Sequence, residues 1–174
     1  MKRTAALGAI LFVAVIGVAP AQSPHQQHAS QAGNGPYAPR LGDLMILQQI
    51  RHAKMWFAVA ANNWPLAGHE LAGLKDGFED VDRLYPTIQG ISTKPVLAAL
   101  GAGELTELGR AIEDRDRIKF VTAFDRLTAA CNGCHQSTGH GFVVIQQPIS
   151  PPFNNQSYAP GPVQNLPAGA QHPH

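Results

Sequence analysis

The stretch FVTAFDRLTAACNGCH, residues 120–135, decides the fold. Phe120, Phe124, Leu127, Cys131 and Cys134 follow one another at spacings of four, three, four and three, the repeat of a single helix face. One seam therefore points inward and ends on two thiols. Asp114 or Asp116 can cap this helix, with its acidic group at the positive end of the helix dipole. Upstream, Leu105, Leu108 and Ile112 share one side of a helix over 104–113, and Pro95 sits near the start of a short apolar helix ending at Gly101 to Gly103. Tyr85 precedes Pro86 and is pushed away from helical backbone angles, which closes a helix opened by Pro65. Between Leu41 and Asn62 the polar residues Asp43, Arg51, Lys54 and Asn62 fall within one arc of a helical wheel. No run of useful length alternates at the strand period. The expected fold is all-α, an antiparallel four-helix bundle with the two thiols at the end of its last helix.

The overall composition conceals this organisation. Of 174 residues, 17 are Gly and 14 are Pro, a mixture that by itself suggests low complexity. Only Pro65, Pro86 and Pro95 lie between Leu41 and Gln147, however, so the globular part is about 107 residues, one domain's worth. The formal net charge of +1 and the lack of any basic stripe argue against nucleic acid as a partner.

Lys2 and Arg3, an apolar run from Ala5 to Val18 and the triplet Ala19-Pro20-Ala21 form the pattern of a secretory signal peptide over 1–21. The run is shorter than the ~20 residues a bilayer span needs, so cleavage near Ala21 is expected to leave no membrane-spanning segment. It would also remove two basic residues, giving 11 basic against 12 acidic, and export places the chain in the periplasm. Residues 22–40 are expected to form a disordered linker, and 148–174, which carry no Lys, Arg, Asp or Glu, a disordered Pro-rich tail. His25, His28, His172 and His174 lie on these flanks, where no ligand geometry is preset.

Cys131 and Cys134 are the only cysteines, and they stand in Cys131-Asn132-Gly133-Cys134-His135, a C-x-x-C-H. This is the spacing of c-type haem attachment. One helical turn sets two thiols to reach the two vinyl groups of one porphyrin, and His135 then meets the iron as proximal ligand. A thioredoxin-like pair is a competing reading, but it normally lies near a βαβ pattern, which is absent. A structural disulfide is another, though so small a loop contributes little.

The run FDRLTAACNGCHQSTGHGFVVIQQP from Phe124 onward, with the helix order from Leu41 to Pro148 and the LMILQQIRHAKMW segment, resembles the cytochrome c′ family, including its six-coordinate, low-spin members. The resemblance implies a periplasmic protein with one covalent haem c and no enzymatic step, either carrying single electrons between transient redox partner proteins or binding a diatomic gas at an open sixth site. It also implies that the bundle can pair as a homodimer.

The sixth ligand separates those uses. With Met1 removed, the methionines are Met45 and Met55. On the wheel Met45 groups with Gln49, His52, Trp56 and Ala60, opposite Arg51 and Lys54, whereas Met55 lies near Arg51. Met45 is expected to point inward at the haem end and to serve as distal ligand. Met55 stands ten residues further, ~15 Å along the axis. An inward methionine that merely fills the core is the alternative. His52 is expected to be a hydrogen-bonded core histidine. His69 lies at the far end, and His140 follows His135 too closely to reach the opposite haem face. A peroxidase would need His52 as a distal base, and nothing in the sequence brings it within range.

Overall fold

The computed structural model describes residues 38–161. The signal peptide, nearly all of the 22–40 linker and residues 162–174 lie outside the described residues. Among those described there are five helices: α1 (Leu41–Ala60), α2 (Trp64–Leu84), α3 (Thr93–Ala102), α4 (Glu104–Glu113) and α5 (Arg117–Ser137). The fold is all-α apart from two short strands, β1 (Thr87–Ile88) and β2 (Ile91–Ser92).

Local chemistry sets these boundaries. Asn62, in the left-handed region at φ 58°, closes α1, and the Asn63 side chain accepts from the Leu66 N–H at 3.2 Å to start α2, with Pro65 in its first turn. The two strands, which no sequence period revealed, exist because Gln89 and Gly90 both take positive φ and join them in a two-residue turn. Gly103 alone separates α3 from α4. Asp116 caps α5 by accepting from the Ile118 and Lys119 N–H groups at 3.0 Å, and Lys119 beside it holds its carboxyl below the usual carboxylate range. Gly139, at φ 75°, ends α5 in a Schellman motif, in which the Gly139 N–H donates to Gln136 O and the His140 N–H to His135 O.

α1 packs along α2, α4 along α5, and α2 bridges to α4. α1 and α5 run in opposite directions, since Trp56 meets Phe124 at 5.0 Å between ring centroids while His52 bonds Thr128 at 2.9 Å. The Arg117 guanidinium donates to Asn62 Oδ1, fixing the start of α5 beside the end of α1. Met55, Leu108, Phe120, Phe124 and Leu127 are the largest fully buried side chains, so the seam on the last helix faces inward as its spacing requires.

The orientation of α1 departs from the wheel. Met55 is fully buried, whereas Met45 is only half-buried and Gln49 is exposed. The inward stripe is Leu44, Gln48, His52, Met55 and Val59. The physical reason lies in the charged residues that looked solvent-facing. Lys54 pairs with buried Glu70 of α2, and the Arg51 guanidinium donates to the Gly73 carbonyl. Gly73 and Gly77 open the space: a Cβ at Gly77 would lie 1.7 Å from Gln48 Nε2. The polar arc of α1 is therefore an interface.

What covers the opposite side of α1 is the chain after α5. Residues 148–161, assigned by sequence to a loose tail, contain no helix or strand, yet Tyr158 packs on Phe57 at 5.7 Å and its carbonyl accepts from Asn63 Nδ2 at 3.1 Å. Val144 to Gln146, just before this segment, and Pro148 to Pro152 at its start line a cleft with Gln49, Ile50, His52 and Ala53.

Candidate functional site

The last turns of α5 bring Cys131, Cys134 and His135 together, as one helical turn must. Cys131 is half-buried and packs against the main core; Cys134 and His135 are half-buried nearer the helix end. Both cysteines are free. Burial pushes the Cys131 thiol up to about 11, with Cys134 beside it adding to the effect, and burial raises Cys134 as well. Exchange-active pairs need a lowered thiol pKa, so this pair is poorly suited to disulfide exchange.

His135 has a defined orientation. Its Nδ1 lies 2.8 Å from the Val143 carbonyl oxygen, which can only accept, so Nδ1 is the donor there and Nε2 is the ring nitrogen left for another partner. A metal-ligating histidine is oriented in just this way by the carbonyl behind it. The carbonyl arrives because the chain folds back after Gly139: Val143 N–H donates to His140 O at 2.8 Å, and Asn132 bonds both the N–H and the carbonyl of Ile145 at 2.8 Å. Asn132 and residues 143–147 both fall within the run that carries the family resemblance, but the sequence assigns neither a role in orienting His135. The available signals were Gly139 and an Asn placed within a helix, where its side chain tends to seek backbone partners.

Above the motif, His52 is buried, stacked on Phe124 at 4.1 Å and paired through Nε2 with Thr128 Oγ1. The Thr128 hydroxyl donates to the Phe124 carbonyl at 2.9 Å, so it accepts from His52 Nε2–H. Burial lowers the His52 pKa to about 4 and keeps the ring neutral. It is the hydrogen-bonded core histidine the sequence suggested.

Continuing the register set by His52 and Thr128 seven residues down α1 and seven up α5 brings Met45 level with His135. Met45 is half-buried there, beside exposed Ile46 and Leu47. Across the same end, Phe142, Val143 and Val144 are also exposed. Cys131, Cys134 and His135 thus share the last turns of α5, with Met45 at the same level on α1. Among the described residues no cluster of three or more His, Cys, Asp or Glu gathers as a metal site, and no helix is long and apolar enough to cross a membrane.

Comparison with protein-family models, curated proteins and solved structures finds no match to this chain.

Proposed function

We propose that this chain is an exported c-type cytochrome: an antiparallel four-helix bundle with one haem c attached through Cys131 and Cys134, ligated by His135, and used to carry single electrons between partner proteins. The observation that carries the proposal is the Nδ1–H of His135 bonded to the Val143 carbonyl at 2.8 Å, which turns Nε2 into a free, fixed donor directly after two thiols one turn apart.

Two further observations support it. Two half-buried free thiols one helical turn apart suit permanent thioether formation, in which each S–H adds across a vinyl C=C and no electrons are lost. Ile46 and Leu47 near the start of α1, and Phe142 and Val144 after α5, are exposed apolar residues of the kind that mark a binding surface. When bound, the haem supplies a reversible one-electron change at iron. Cys131 and Cys134 would hold it, and the Val143 carbonyl would fix the His135 imidazole toward it.

Met45 is proposed as the distal ligand, which raises the reduction potential relative to a second imidazole. Met55 is excluded by its place in the core, ~15 Å further along α1. The second reading, binding of a diatomic gas, is favoured by one feature: Met45 is half-buried and not clamped in the core, so a small ligand can displace it. Peroxidase chemistry gains no support, because His52 is committed to Thr128.

Optical spectra of the purified protein in both oxidation states test this, together with Met45→Ala. A low-spin spectrum that becomes high-spin in the variant is expected. A wild-type spectrum already high-spin and unmoved by the substitution, with carbon monoxide binding at once to the reduced form, would replace electron transfer by the gas reading.

A further inference from the structure

We propose that Asn132, the first residue between the two cysteines, is the positioning residue for His135 and acts through the segment that follows the helix. This inference rests on the haem reading above. Asn132 Oδ1 accepts from the Ile145 N–H and Asn132 Nδ2 donates to the Ile145 carbonyl, both at 2.8 Å. Two bonds to the backbone of one residue fix both its position and its rotation. Two residues earlier, the Val143 carbonyl accepts the hydrogen bond from His135 Nδ1–H.

Packing does not hold that carbonyl in place. Val143 is 39% exposed and Val144 is 71% exposed. The carbonyl is held from two sides: by the turn in which the Val143 N–H donates to His140 O, and by the Asn132 pair. Asn132 cannot touch the iron, since its amide is spent on Ile145. Its effect is on the imidazole: a firm Nδ1–H···O=C bond makes the ring a stronger donor, which favours ferric over ferrous iron. Loosening the segment weakens that donation and raises the reduction potential.

The test uses the full-length holoprotein and Asn132→Ala, with Ile145→Pro as a second variant that removes the same bond from the other side by deleting the N–H. Three quantities are read: covalent haem by intact mass, hydrogen exchange at the residue-145 amide where one remains, and the midpoint potential. Asn132→Ala is expected to keep its haem, to speed Ile145 exchange at least tenfold, and to shift the ferric-to-ferrous preference about tenfold, ~59 mV upward for one electron. Ile145→Pro should shift the potential the same way. Asn132→Asp, which keeps the acceptor and loses the donor, should fall between. Faster exchange with an unchanged potential in every variant overturns the positioning role, and unchanged exchange overturns the two-bond contact itself. A wild-type protein without covalent haem overturns the functional proposal and this inference with it, and is seen before any variant is made.

Discussion

The two ends of the helices differ in how they treat apolar residues. At the end where α1 meets the start of α5, the interior is filled: Met55, Phe120 and Phe124 are fully buried, and Trp56 lies against both rings. At the other end the same helices continue with Ile46, Leu47, Cys131 and Cys134, yet none of these reaches full burial. Sequence hydrophobicity is similar and closure is not. The second end is closed only in part: Leu44 and Thr138 are buried there, while Ile46 and Leu47 are exposed and the two thiols half-buried. It carries exposed apolar residues, an oriented imidazole and two free thiols, the features on which the proposed haem site rests.

That contrast can be broken by substitution. Phe124→Ala, within the filled end and shared by His52 and Trp56, is expected to cost about 3–5 kcal/mol, read as a lower midpoint in urea unfolding. A loss below ~1 kcal/mol would mean the filled end is not the stabilising one.

The two methionines sharpen the contrast further. Met55→Ala should lower stability by roughly 2–5 kcal/mol without altering the optical spectrum. Met45→Ala should do the reverse, leaving stability within ~1 kcal/mol and changing the spectrum. Equal stability effects would erase the distinction between the ends.

His52 lies between them and supplies a pH signature. Its folded pKa, about 4, is below that of an unfolded histidine, so the unfolded state binds more protons between roughly pH 6.5 and 4. The favourable burial of neutral His52 is fully present above that window and is lost as pH falls through it, to a total of about 3 kcal/mol. Urea midpoints measured from pH 7 to 4 should fall in the wild type, and His52→Asn should remove that part of the slope. The smallest effect belongs to the exposed pair of Arg110 and Glu107 on α4, where Arg110→Ala should cost no more than about 0.5 kcal/mol, lost in noise at high salt.

The helix order and boundaries were readable from sequence because their punctuation is local: Asn63 and Pro65 start α2, Pro86 follows its end, Gly103 divides α3 from α4, and Asp116 caps α5. The inward seam of α5 was readable because Phe120, Phe124 and Leu127 recur on one helical face and are all fully buried. The orientation of α1 was not, because a wheel scores Arg51 and Lys54 as solvent-facing and cannot register Glu70, Gly73 and Gly77 on another helix. The course of 148–161 was equally hidden, since its lack of charge and its prolines resemble a loose tail while Tyr158 and Asn63 hold it to α1. At the candidate site, C-x-x-C-H named three residues, but the carbonyl that orients His135 comes from eight residues downstream and leaves no motif.

The most direct test of the central claim is peptide mass mapping of the protein produced in cells that mature c-type cytochromes. The expected result is a single peptide containing residues 131–135 that carries one covalent haem and no free thiol, with attachment abolished in the Cys131→Ser, Cys134→Ser double variant. Recovery of that peptide with two free thiols or an internal disulfide, and no haem mass, would contradict the proposal outright.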